Sequence, residues 1–153
     1  MKRIIIFSIF CSILSATTWH ISTTGSDETG DGSTGNPFAK IQHGIDTSVS
    51  GDTILVADGT YYENLVVNKE VTLASHYISD EDLSHRDNTI IDGSQYDEEE
   101  GPFGSCVVFR PPGNGDPISP KLTGFTIQHG LGTRVNDSSG DETITYFMGG
   151  GLM

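Results

Sequence analysis

The sequence predicts an all-β fold, a solenoid of short parallel strands, on three observations. Between Gly51 and Ser75 lie three apolar runs, Ile54-Leu55-Val56, Leu65-Val66-Val67 and Val71-Thr72-Leu73. Turn chemistry at Asp58-Gly59 and at Asn68-Lys69-Glu70 separates them. Each run is β-branched or aliphatic and far too short for a helix, so each reads as a strand. Comparable runs recur at Thr89-Ile90-Ile91, Cys106-Val107-Val108-Phe109 and Phe125-Thr126-Ile127. Their spacing of about 17 to 20 residues is that of stacked coils rather than of hairpins.

Composition narrows the function. A chain of 153 residues makes one domain at most. A hydrophobic share of 35% with 19 glycines suits a turn-rich β protein. The formal charge of −13 excludes nucleic acid as the default partner, because phosphate binding needs a basic stripe. It equally disfavours anionic membranes and polyanionic sugars unless a cation bridges the two surfaces. The same acidity keeps an exported repeat protein soluble.

In chain order, Met1-Lys2-Arg3 and the apolar run Ile4 to Leu14 match a signal peptide with cleavage after Ala16. The run is too short to span a bilayer, which takes about 18 apolar residues or more. Residues 1–16 are therefore a leader, and the expected location is secreted, cell-surface or periplasmic. Losing Lys2 and Arg3 makes the chain two charges more negative. Residues 17–51 hold a first strand at Trp19 to Thr23, a polar turn and a capping helix. In the turn, Asp27, Thr29 and Asp31 followed by Gly32 match the first half of a calcium-binding loop, with oxygen ligands at alternate positions. Phe38 stands where the bidentate Glu belongs, so a metal-free polar turn is the competing reading.

Asn36-Pro37 opens the helix, Asn as N-cap and Pro at the first helical position. Phe38, Ile41, Ile45 and Val49 define its apolar face, His43 lies opposite, and Gly51 ends it. Such a helix would lie across the open end of the solenoid. Residues 52–153 form the first coils. Alternation along the strands selects Ile54, Val56, Leu65, Val67, Val71, Leu73, Ile91, Val107, Phe109, Phe125 and Ile127 as the core, with Tyr61 at a corner.

Two acidic loops, Ser75 to Asn88 and Ser94 to Gly104, interrupt the coils, and projecting loops commonly carry binding functions. Asp97-Glu98-Glu99-Glu100 has the hard oxygens that suit calcium, though neighbouring carboxylates on a loop are commonly just solvated. His76 and His85 flank the first loop without a zinc spacing. Cys106, the single cysteine left after leader removal, has no internal disulfide partner and reads as a small buried side chain. Asn136-Asp137-Ser138 is formally a glycosylation sequon.

The segments IQHGIDTSVSGDTILVADGTYYENLVVNKEVTLAS, NTIIDG, KLTGFTIQHG and GGGL resemble the start of a right-handed parallel β-helix. They are similar to the pectin-lyase-like superfamily: the first coils of pectinesterases, NosD-type periplasmic proteins and secreted β-helix repeat proteins. The resemblance runs from Trp19 to Leu152 and implies a cap followed by first coils. It implies an exported protein that binds or processes polysaccharide, with a non-catalytic adhesin or structural repeat module as the alternative. In look-alike chains the closing Gly-Gly-Gly-aliphatic run begins a further coil. The expectation is thus the front of a longer protein, or one docked to a partner at that end.

The residues that would carry the family's chemistry do not match. There is no Gly-x-x-Asp-Phe-Ile-Phe-Gly of the pectinesterase type, and none of the Asn-Thr-Asp, Asp-Asp and Arg-x-Lys set of polygalacturonases. Arg110 and Lys121 offer the basic group of a pectate lyase, but nothing in the sequence ties them to a carboxylate cluster. Asp92 and His129 fall in turns after strands, where structure alone accounts for Asp92 and a catalytic-base role for His129 is the competing idea. No catalytic residue is assigned, and calcium is the one candidate cofactor.

Overall fold

The computed structural model describes residues 15–95, 103–113, 117–137 and 144–148. Residues 1–14 of the expected leader, the acidic run Asp97 to Glu100 and the glycines Gly149 to Gly151 lie outside them. The elements are β1 (Thr18–Ile21), α1 (Ile41–Thr47), β2 (Thr53–Val56), β3 (Gly59–Tyr61), β4 (Leu65–Val67), β5 (Thr72–Ser75), α2 (Tyr77–Asp80), α3 (Leu83–Asn88) and β6 (Thr89–Asp92). After a 3-10 turn at Gly93–Gln95 come β7 (Phe103–Gly104), β8 (Val107–Phe109), β9 (Lys121–Thr123), β10 (Thr126–Gln128), β11 (Gly132–Asp137) and β12 (Ile144–Met148).

Three sheets are wholly parallel, with strand orders β1-β2-β5-β9, β10-β6-β3 and β4-β8. The chain visits them in one order: β2, β3 and β4 each enter a different sheet, then β5, β6 and β8 repeat the sequence, and β9 and β10 begin it again. This mostly parallel arrangement is compatible with a β-helix. Register stacks like positions, Ile54 on Leu73 on Leu122 in one sheet and Tyr61 on Ile91 on Ile127 in another. Of the expected core, Ile54, Val56, Leu65, Val67, Val71, Leu73, Ile91 and Val107 are buried, while Phe109, Phe125 and Ile127 pack against them partly exposed. Each fully buried aliphatic side chain contributes on the order of 1.5–3 kcal/mol. Tyr61 is buried at its corner, with its hydroxyl donating to the Ala57 carbonyl at 2.9 Å.

Constant coil spacing does not survive. The first repeat is 19 residues, Thr53 to its partner Thr72, but the next is 49, Thr72 to Lys121. The difference lies in the connections, which lengthen where the acidic segments are inserted. The first of these is not a loop but the two short helices α2 and α3.

The helix also starts later than Asn36-Pro37 suggests. Phe38 runs alongside Ile21 in a parallel bridge, accepting from the Ser22 N–H and donating to the His20 carbonyl. Asn36 instead donates to the Thr29 carbonyl at 2.8 Å. The four N–H groups from Ala39 to Gln42 are met by remote carboxylates. Asp27 Oδ1 accepts from Ala39 and Lys40 at 2.8 and 3.1 Å, and Glu63 accepts from Ile41 and Gln42 at 2.8 and 2.9 Å. These replace the missing local cap. At the other end Lys69 Nζ donates to the carbonyls of Ile45, Asp46 and Ser48 at 2.8, 3.2 and 2.8 Å. Ile41 and Ile45 are buried, and a Cβ at Gly44 would stand 2.6 Å from Ile21 Cδ1, so glycine permits the close approach to β1. Val49 is 53% exposed and not part of the apolar face, because the helix has ended. His43 is half-buried edge-on to Phe38, ring centroids 4.5 Å apart, rather than solvated.

Asp52 ties the first strand to the helix exit. Its buried carboxylate accepts from Thr17 N, Trp19 Nε1 and Val49 N at 2.8, 3.0 and 2.9 Å. A fourth sheet, β12-β11-β7, is antiparallel throughout and departs from the parallel pattern. Its β11–β12 pair is an antiparallel ribbon from Thr133↔Met148 to Asp137↔Ile144.

Candidate functional site

The proposed calcium turn is a hydrogen-bonded knot. Ser26 Oγ accepts from Glu28 N and Thr29 N, Asp31 Oδ1 accepts from Ser33 N at 2.9 Å, and Asp27 Oδ1 serves the two backbone N–H groups before α1. Hydrogen bonds from Ser33 hold the Asp31 carboxyl below the usual carboxylate range. Oδ1 of Asp27 and of Asp31 thus already has donors, and the Thr29 carbonyl holds Asn36. Among the described residues no group of three or more His, Cys, Asp and Glu stands together as a metal would need.

A more organised cluster sits where β6 and β10 end side by side. Asp92 pairs in register with Gln128. Asp92 Oδ1 accepts from Ser94 N at 2.9 Å, closing an Asx turn, and Oδ2 accepts from Gln128 Nε2 at 2.8 Å and His129 Nδ1 at 2.9 Å. The Asp92 side chain is only 6% exposed, and hydrogen bonds from Ser94, His129 and Gln128 hold it far below the usual carboxylate range. A carboxylate only accepts, so His129 Nδ1 carries the proton and Nε2 is the face turned to whatever meets the ring. The imidazole is 62% exposed. His129 has φ +59°, a left-handed conformation that costs a non-glycine residue energy and suits Asn best. The sequence had marked Asp92 and His129 separately; their pairing across about 37 positions was not visible in it.

Beneath this corner, Cys106 is fully buried with Sγ 3.0 Å from the Gln128 carbonyl, and burial raises its thiol pKa. It is a packing group rather than a nucleophile. A Cβ at Gly93 would stand 2.9 Å from Cys106 Sγ and 3.1 Å from Gly130 Cα, so glycine is needed for adjacent chain turns to stack. Tyr62, 52% exposed, follows Tyr61 in the chain turn below Asp92. Lys121 lines a separate cleft of about 270 Å³ with Gly51, Glu70, Val71, Thr72 and Ser119. Arg110 N is tied to the Val67 carbonyl at 2.9 Å and does not line that cleft. Arg110 follows β8 and Lys121 opens β9, which belong to different sheets. His76 and His85 do meet, ring centroids 5.7 Å apart.

No protein-family profile matches the chain. No curated protein matches it either. Among solved structures, the complex of XylC with xylose matches at 32% identity and a TM-score of 0.36. The match covers 38% of this chain and 10% of that one, so the chain spans a small fraction of XylC's length. Among the described residues, no helix is long and apolar enough to cross a membrane.

Proposed function

We propose that this chain forms the cap and first coils of an exported right-handed parallel β-helix protein that binds or processes polysaccharide, and that the Asp92–Gln128–His129 corner contacts the sugar. The observation that carries the site is the exposed imidazole fixed by a buried carboxylate. Its Nε2 offers a directed partner to a hydroxyl, and the ordering entropy of the ring is already met by the protein. Tyr62 adds an exposed aromatic face from the adjacent chain turn. The charge of −13 favours neutral sugars over uronates, which would need a bridging cation. Export rests on the basic start and short apolar run of residues 1–16.

The test is a titration of the protein with neutral oligosaccharides and with uronate oligomers, with and without calcium, followed by NMR of the His129 ring. A neutral oligosaccharide is expected to shift that ring and to bind measurably weaker to His129→Ala. A panel that leaves the ring unmoved, or equal binding by the variant, defeats the assignment. The second reading is a non-catalytic surface or structural module. It is favoured by the burial of Cys106 beneath this corner, whose raised thiol pKa makes it a packing group rather than a nucleophile. Binding without turnover on the same panel supports it, whereas released product supports the enzyme.

A further inference from the structure

Helices α2 and α3 bury none of their residues, and both Ile78 and Leu83 are about half exposed. Burial therefore does not hold this excursion, residues 77–88, against the strands. Its main polar tie is His85. Nδ1 lies 2.7 Å from Asp58 Oδ1, on the turn between β2 and β3, and Nε2 lies 3.2 Å from Asp80 Oδ2, at the end of α2. An ionised carboxylate has no hydrogen to give, so both contacts are hydrogen bonds only when both ring nitrogens carry protons. We propose that His85 is a pH-sensitive latch, fastening the α2–α3 excursion to the Asp58 turn as an imidazolium and loosening it when the ring loses a proton.

The neutral ring would keep its proton on Nδ1, where the contact is shorter, and turn a lone pair toward Asp80. The α2 end then loosens first. The other charges around the ring are known. Asp82, the N-cap of α3 through Ser84 N, interacts electrostatically with His85. His76 stands 5.7 Å away, ring to ring, and His20 of β1 is near enough to His76 for the two charges to interact. Arg86 is turned onto Asp87 at 2.8 Å. The hydrogen bond to Asp58 is the largest influence on the His85 pKa; burial, the next, opposes it, and the charges of Asp58 and Asp80 add to the hydrogen bond and leave the pKa raised. The sign follows: the latch contributes fully below about pH 6.5, the ordinary histidine value, and is lost as pH rises through the higher folded value. Two ties do not involve the His85 ring and limit the opening: Thr126 Oγ1 to the Arg86 carbonyl, and Tyr77 beside Gly124.

Hydrogen exchange of the whole protein, expressed as protection factors, reads the latch directly. Between pH of about 5.5 and 8.5, protection over Tyr77 to Asn88 is expected to fall roughly two- to five-fold while β2 and β5 hold, in line with exposed ion pairs. His85→Gln should sit at the low value at both pH values, and His76→Gln should keep the drop. Protection that ignores pH, or a drop that persists in His85→Gln, overturns the latch. Should His85→Gln perturb the fold, Asp80→Asn serves: the His85 ring midpoint must fall, and an unchanged midpoint overturns the proposal.

Discussion

The first and last described chain turns are covered to different degrees. At the mouth, Ile21, Phe38, Ile41 and Ile45 are buried over the first chain turn, and the backbone groups around them are answered by Asp27, Glu63, Asp52 and Lys69. In the last described coil Phe109, Leu122, Phe125 and Ile127 are only partly covered. A cap on stacked strands must answer exposed N–H and C=O groups as well as apolar surface, and here charged side chains drawn from distant positions do the first job.

The comparison breaks most easily in the core. Leu65→Ala should lose about 2–5 kcal/mol in denaturant unfolding, while Ile127→Ala, already partly exposed, should lose roughly half as much. Equal losses would mean the ends are equally packed. Next is Glu63→Ala, which leaves the Ile41 and Gln42 N–H groups unanswered and should cost about 1–3 kcal/mol. Glu63→Gln should cost less, since its amide oxygen still accepts, and exchange at those two amides checks both. Lys69→Met removes three donors from the last turn of α1 and should cost about 1 kcal/mol.

The pH response sharpens the contrast within the mouth. Burial pushes the Asp52 carboxyl up, but the Val49, Thr17 and Trp19 donors and nearby Lys69 outweigh it and leave the pKa lowered. Its stabilisation is therefore present above the ordinary aspartate value and disappears as pH falls through the lower folded one. Burial dominates at Glu63 and raises its pKa despite the Gln42 and Ile41 donors, so ionising it weakens the fold as pH rises through the ordinary glutamate value to the folded one. Asp52→Asn should flatten the acid limb of the stability curve, and Glu63→Gln should remove the loss on its rising side. The smallest effect is expected at the polar turn. Calcium calorimetry should give equal heats for wild type and Asp31→Ala, since Asp27 and Asp31 already hold backbone N–H groups; a heat lost in the variant would establish an ion there.

Short-range pattern was legible wherever burial alternates. Ile54, Val56, Leu65, Val67 and Leu73 could be placed because one face of each strand is apolar and a one-residue slip would reverse it. The Asn36-Pro37 signal failed because Phe38 gains more from pairing with Ile21 and stacking on Trp19 than the helix gains from one more turn. Val107 and Val108 are both buried, which alternation does not anticipate. Pairings such as Glu63 with Ile41, Asp92 with His129 and His85 with Asp58 join positions distant in sequence, and no local spacing announces them. The candidate site was therefore visible as two isolated turn residues and not as a site.

Gln42 deserves a last inference. Its amide accepts from Val66 N at 2.9 Å and donates to Val66 O at 3.3 Å, so one side chain imitates the neighbour that β4 lacks on that side. A strand from another molecule finds that residue's hydrogen-bonding pair already taken. Self-association by sheet extension is thereby discouraged at the mouth, and the stack acquires a direction in which it is reluctant to grow.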